Sequence, residues 1–318
     1  MTLTLSTQQD LEIVEQSLQD CFADHPLAIV RDIASHSLFR QGKRIRASMV
    51  ILFSTMLGYE GTQHHSLATI IELLHGATLL HDDVIDQSEL RRHHATAHTI
   101  WGNKASILMG DLVYAKAFTL ISSINESSII EKLAHATTTI CTGEIHQLIN
   151  RGMFDITMDE YYKIIEAKTA TLFASACACA ALLSNPQAYD AAYEFGHHFG
   201  MAYQMTDDLL DLEPQNPAFG KNMGDDLRDG KITGPIIALM QTLKGNEKED
   251  LIAKLNSPDE TNINFIQNAV QQHNAHNVIQ SNIQYHLDKA TQILQQFPEN
   301  QASQDLMNLT SYIAKRKS

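Results

Sequence analysis

Three aspartates crowd five residues in Leu80-His81-Asp82-Asp83-Val84-Ile85-Asp86, and three more stand in Asp207-Asp208-Leu209-Leu210-Asp211. On a helix Asp82 and Asp86 project from one face a turn apart, with Asp83 about 100° round. Carboxylates roughly 4 Å apart repel by about 4 kcal/mol at an effective dielectric near 20, and a helix C-terminus adds negative potential. Something positive is needed there. One acidic helix end is equally well explained by solvation. Its return after a second apolar helical run, Phe195 to Met205, is what points to binding. There Gln204, Asp208 and Asp211 share one helical face. Hard oxygen donors without His or Cys partners favour Mg²⁺, which leaves positions for water and phosphate oxygens. Two such helices facing each other would hold a diphosphate through metal ions, and the cation inverts the local sign of the field.

The basic residues cluster beside these aspartates. Gly42-Lys43-Arg44-Ile45-Arg46 opens a helix, where free amides and the dipole favour a phosphate that Lys43 and Arg46 can close upon. Arg91-Arg92-His93-His94 follows the first acidic cluster; Lys168-Thr169 sits on a helix from Tyr161 to Leu183; Gly220-Lys221 through Gly230-Lys231, with Asp225, Asp226 and Asp229 between, follows the second. Each alone reads as a solvated surface group; their joint placement carries the weight. His75, seven residues before Asp82, falls on the same helical face and can reach a phosphate at the mouth. His94 and His98 have the spacing of a zinc pair, but Ala95 stands where a general-base Glu would be needed and a third ligand is not evident. No phosphate-binding glycine loop, dinucleotide fingerprint or hydrolase triad is readable.

Helices must position these groups. Apolar residues recur at helical spacing in Leu11, Val14, Leu18, in Met49, Leu52, Phe53, Met56 and in Ile70, Leu73, Leu74, Ala77, Leu80. Breaks at Pro26, Gly42, Gly58 to Gly61, Gly102, Pro186, Pro214 to Gly220, Gly234-Pro235, Pro258 and Pro298 cut the chain into about a dozen helix-length segments. Residues 1–318 read as a single all-α domain. Asn256 to Asn277, rich in Asn and Gln, reads as mobile or peripheral helices. The 318 residues are 44% hydrophobic and 19% charged, with a net charge of −14 that repels nucleic acid and anionic lipid. Cys177 and Cys179 lie in an apolar run and read as buried core residues rather than a metal or disulfide site. The N-terminus lacks a secretory pattern and no apolar run reaches the ~18 residues of a membrane span, so a soluble, cytoplasmic protein is expected.

From Gly42-Lys43-Arg44-Ile45-Arg46 to Gly230-Lys231-Ile232-Thr233 the chain resembles the trans-isoprenyl diphosphate synthase family, with two Asp-Asp-x-x-Asp motifs, each with its basic companion. The segments Gly110 to Phe118 and Gly143-Glu144-Ile145-His146-Gln147-Leu148 are also similar. The resemblance implies an all-α isoprenoid synthase bundle around a deep cavity, usually homodimeric, joining isopentenyl diphosphate to an allylic diphosphate with Mg²⁺. By matching position, Asp82, Asp83, Asp86, Asp207, Asp208 and Asp211 would hold the metals, though not every aspartate need ligate directly. Arg91, Lys168, Lys221 and Lys231 would grip the allylic diphosphate; Lys43, Arg46, His75 and Arg92 would receive isopentenyl diphosphate; Thr169 and Gln204 would face the developing cation. Small Ala77 and Thr78 before Asp82 imply a long, octaprenyl-like product for a quinone side chain such as that of ubiquinone, with Phe53, Met56, Phe118 and Ile140 as possible tunnel liners. A shorter geranylgeranyl or farnesyl product, a non-catalytic subunit of a heteromeric synthase and a class I terpene cyclase stay open as alternatives. Lys43, Arg46 and Arg92 argue against the cyclase and the intact aspartates against the subunit. Gly234 where a Leu is usual, Tyr203 where Phe is common, and His146 depart from the pattern.

Overall fold

Proline and glycine punctuation does delimit the helices. The computed structural model describes residues 4–39, 42–91, 94–124, 126–213 and 224–316. In chain order its helices are α1 (Leu5–Asp20), α2 (Ala28–Ser37), α3 (Ile45–Met56), α4 (Gln63–Ile85), α5 (Ala97–Trp101), α6 (Asn103–Ile121), α7 (Ser127–Ile149), α8 (Met158–Ile165), α9 (Thr171–Ser184) and α10 (Tyr189–Asp211). They continue with α11 (Asp225–Arg228), α12 (Gly234–Thr242), α13 (Asn246–Leu255), α14 (Glu260–Gln272), α15 (Ala275–Leu294) and α16 (Gln301–Lys315). Against the expectation of helices alone, a two-residue antiparallel ribbon, β1 (Leu90–Arg91) with β2 (His94–Ala95), pairs Arg91 with His94. It turns Arg91 back toward the helix that precedes it.

The centre is α9, every residue of which from Thr171 to Ala181 is buried, Cys177 and Cys179 included. It packs against α3, α4, α7 and α10, and one continuous apolar cluster runs from Val14 on α1 to Ile313 on α16. A π turn, Glu166–Ala170, joins α8 to α9, making a 27-residue helix, Met158–Ser184. By length and composition this helix could cross a membrane, contrary to the expectation of no span-length run; its most apolar stretch is 72% buried within the protein, so its apolar character serves the core. The Asn- and Gln-rich stretch does form a peripheral helix. α14 buries Ile263, Ile266 and Val270 against its neighbours α12, α13 and α15.

Two glycines shape the π turn from outside. A Cβ at Gly143 of α7 would lie 2.7 Å from Ala167 Cβ and 3.0 Å from Lys168 N; one at Gly200 of α10 would lie 2.5 Å from Ala170 Cα. Both helices therefore reach backbone contact with the turn that carries Lys168 and Thr169. A π turn widens the helix locally and redirects its side chains.

Candidate active site

A cavity of about 720 Å³ opens between the C-terminal ends of α4, α7 and α10, the π turn and the segment before α12. Asp82 and Asp86 border it from α4; Asp207, Asp208 and Asp211 border it from α10. Lys231, which follows the second acidic cluster in sequence, reaches the first: its Nζ lies 2.7 Å from Asp86 Oδ2, 3.1 Å from Asp229 Oδ2 and 3.7 Å from Asp226 Oδ1. The two clusters therefore share one hollow. Arg151 also pairs with Asp86, through Oδ1. Its position depends on Gly152 N–H donating to Gly230 O at 2.9 Å. Gly230 has φ +71°, a conformation open to glycine at little cost, so the loops carrying Arg151 and Lys231 meet at one point.

Asp83 faces elsewhere. It is buried, accepts from Arg91 Nε at 2.7 Å and does not border the cavity. Arg91 borders the cavity while making this bond. Arg44, from the basic loop, also turns away: at φ +44° it is clamped by Glu15 at 2.6 Å and Glu72 at 3.0 Å.

Lys168 Nζ sits 2.7 Å from Glu144 Oε2, 2.9 Å from Gln147 Oε1 and 3.8 Å from Asp82 Oδ2. Thr169 and Gln204 both border the cavity, where their side chains are hydrogen-bonded in series to Asp208. Thr169 Oγ1 donates to Gln204 Oε1 at 2.8 Å, and Gln204 Nε2 donates to Asp208 Oδ1 at 2.8 Å, so both are used to orient a carboxylate. Tyr161 OH donates to the other oxygen of Asp208 at 2.6 Å. A Cβ at Gly234 would lie 2.8 Å from Tyr161 Cε1, so the glycine at this unusual position leaves room for the tyrosine.

At the other end of the cavity Arg46 lies over the Phe173 ring at 4.1 Å, with Nη1 3.3 Å from His75 Nε2. Arg46 Nε is buried without a protein partner, as is Arg151 Nε. Lys43 is exposed at the rim and donates to Tyr312 OH at 2.6 Å. Arg316, near the chain end, pairs with Asp207 and lies 5.1 Å over the Tyr203 ring. Arg92 and Lys221 lie outside the described residues. Sequence reasoning missed Arg151, Arg316 and Tyr161, and gave Glu144 and Gln147 no role. In an acidic chain the first two were visible only as isolated arginines.

Burial dominates the electrostatics. It raises Asp82, with Lys168 opposing, and raises Asp83 against Arg91. Burial and the proximity of Asp82 push Glu144 up to about 7. Asp208 also rises to about 7, through burial and repulsion from Asp226, even though Tyr161 and Gln204 stabilise its ionised form. Burial would raise Asp86 as well, but Lys231, Lys168 and Arg151 hold it below the usual range. Burial lowers Arg46. Carboxylates held this close in a half-dry hollow favour either a proton or a cation.

Residues 28–273 match the polyprenyl synthetase family. The chain belongs to that family. It is 37% identical over 236 residues to octaprenyl diphosphate synthase of Escherichia coli (strain K12), covering 74% of this chain and 73% of the relative. It is 34% identical over 304 residues to all-trans-nonaprenyl-diphosphate synthase (geranyl-diphosphate specific) of Rhodobacter capsulatus, covering 95% and 93%. A polyprenyl synthase from Caulobacter crescentus CB15, solved in complex with calcium and isoprenyl diphosphate, superposes with a TM-score of 0.92 at 31% identity, over 98% of this chain and 96% of that one. The fold is thus the all-α fold of these synthases, and the protein is a prenyltransferase that makes polyprenyl diphosphate. Of the four liners expected for its tunnel, none borders the cavity. Phe53 packs on Phe195 and Phe297 in the core, Met56 and Ile140 are buried, and Phe118 is exposed on α6.

Proposed function

We propose that the cavity binds isopentenyl diphosphate and an allylic diphosphate and joins them, with Asp82, Asp86, Asp207, Asp208 and Asp211 holding Mg²⁺. The single observation that carries this is Lys231 bridging from the second acidic segment to Asp86 of the first at 2.7 Å, which makes one ion-binding hollow of two motifs. The donor set fits: carboxylate oxygens without imidazole or thiolate ligands among them, two of the acids near the cavity raised to about 7 by burial and mutual repulsion. Magnesium, when bound, neutralises the diphosphate as its charge develops on leaving. Lys168, Lys231 and Arg91, with Lys221 by sequence, grip the allylic diphosphate, and Arg151 joins them. Arg46, His75 and Lys43, with Arg92 by sequence, receive isopentenyl diphosphate; the unpartnered Arg46 Nε offers it a donor. Asp83 holds Arg91 in place. The Thr169–Gln204–Asp208 chain and Tyr161 fix the carboxylate geometry.

Residues 1–318 act as one domain, in the cytoplasm, as a homodimer. Leu108 of α6 and Ile145, Leu148 and Ile149 of α7 are each exposed, apolar side chains that a second copy would cover. The product is long, octaprenyl-like, and serves a quinone side chain such as ubiquinone's. Thr78, a small residue a turn before Asp82, borders the cavity, and the octaprenyl and nonaprenyl synthases above support the length. Chromatography of products from farnesyl and isopentenyl diphosphates tests this: wild type gives chains well beyond twenty carbons, and Thr78→Phe shortens them. Wild-type products that stop at fifteen or twenty carbons would refute the long-chain assignment.

A further inference from the structure

On the α10–α15 contact three histidines converge outside the residues that line the cavity. His197 and His198 are neighbours on α10 and His286 lies on α15; each offers a ring nitrogen within 4.8 Å of the others, and all three are half-buried. His198 Nδ1 and His286 Nδ1 are 2.8 Å apart. At that distance one nitrogen donates and the other accepts, so a lone pair already points into the cluster. Glu166, the first residue of the π turn, places Oε1 3.7 Å from His197 Nδ1.

We propose that His197, His198 and His286 form a binding site for a divalent transition metal of the zinc class, separate from the aspartate-lined cavity. Zinc holds imidazole nitrogens at about 2.0–2.1 Å, which in a tetrahedron puts ligand atoms about 3.3 Å from one another. The His198–His286 pair is slightly closer than this and His197 is within reach of it by side-chain rotation. Imidazole ligands select such an ion over Mg²⁺ or Ca²⁺, which require oxygen. On binding, the proton shared by His198 and His286 moves to the outer ring nitrogen or to solvent, and no electron is transferred. Glu166 stands near His197 Nδ1 and, after a small shift, would accept from it as the carboxylate partner that orients an imidazole bound to the metal through Nε2, with water completing the coordination. Lys289, which acts on His198 from α15, opposes the ion's charge. The ion would join three elements: α10, which carries the second acidic cluster, α15, and the π turn that carries Lys168. Its effect is therefore on stability.

The test uses the full chain, stripped with chelator and held in saturating Mg²⁺. Calorimetric titration with Zn²⁺ should give one equivalent per chain and a higher Tm, and Co²⁺ should give the visible spectrum of a four-coordinate nitrogen site. His286→Ala and His198→Gln should each weaken Zn²⁺ binding at least roughly tenfold and abolish the cobalt spectrum, while prenyl transfer measured without Zn²⁺ is unchanged. Absence of Zn²⁺ binding, affinity unchanged in both variants, or a six-coordinate oxygen-type cobalt spectrum overturns the proposal. The wild-type spectrum decides even where a variant fails to fold.

Discussion

The two acidic clusters have the same sequence pattern and opposite electrostatic solutions. On α4 the carboxylates are matched by cations: Asp83 by Arg91, Asp86 by Arg151 and Lys231, and Asp82 by the more distant Lys168. On α10 Arg316 pairs with Asp207, but among the described residues Asp208 has only neutral donors, Tyr161 and Gln204, and faces Asp226. Asp211 accepts from the Asp226 N–H at 3.3 Å. Among the described residues, then, the α4 cluster is balanced by fixed charge, whereas Asp208 on α10 is held by neutral donors and raised to about 7, which favours a proton or an incoming cation. Identical motifs therefore need not be equally ready for metal. On the proposed metal binding, the α4 side would release lysine and arginine to the substrate diphosphate, whereas Asp208 on the α10 side would release the share of a proton it holds.

The contrast between Asp86 and Asp83 gives the largest expected effect. Asp86→Asn removes the anion that Lys231 and Arg151 share, and with it a carboxylate bordering the cavity. Steady-state kinetics should show kcat down by roughly 10²–10³, the scale at which removal of a charge-stabilising group acts on the transition state. Asp83→Asn, aimed at Arg91 and away from the cavity, should cost under about tenfold, mainly in KM for the allylic substrate, because its loss frees Arg91 rather than emptying a ligand position. Equal losses in the two variants would mean that Asp83 turns inward on binding.

Next in size is Arg151→Ala, which the charge balance on α4 predicts and the motif alone does not. Arg151 neutralises Asp86 together with Lys231, so its removal should lower kcat/KM by about ten- to a hundredfold through the lost diphosphate contact, and should lower the Mg²⁺ concentration needed less than Lys231→Ala does. Lys231 makes three carboxylate contacts and links the two acidic segments. If Arg151→Ala is kinetically silent, Lys231 alone balances Asp86.

The aspartates were legible because six charges in apolar helical runs have few explanations, and the helix boundaries because Pro186, Pro235 and Gly102 interrupt otherwise unbroken periodicity. Orientation was not. Whether Asp82 or Asp83 faces the hollow depends on where a two-residue ribbon carries Arg91. The π turn has no sequence mark of its own, since Gly143 and Gly200, which approach it, lie on other helices. Arg151 and Arg316 reach their aspartates across 65 and 109 residues, and no local spacing encodes such pairs. Phe53 shows the same limit for apolar residues: a phenylalanine that fills the core and one that would line a tunnel read alike until the packing is known.

The smallest effect sharpens the α10 side. Asp208 moves from an ordinary 3.8 to about 7. An acid raised in the folded state binds its proton more tightly there than in the unfolded chain. Its contribution to metal-free stability is therefore fullest below about 4 and declines as pH rises through about 7. Asp208→Asn removes that dependence. In chelator the variant should melt a few degrees above wild type at pH 8, and the gap should close toward pH 5. Tyr161→Phe acts the other way on the same group: it removes a hydrogen bond that favours the carboxylate, so Asp208 should hold its proton to still higher pH. In the presence of Mg²⁺ the acid limb of the kcat/KM profile should then move up by less than about one unit, with the rate at its pH optimum reduced only severalfold. A limb that stays in place would separate Asp208 from the proton released on metal binding and assign that proton to Glu144, the other acid raised to about 7.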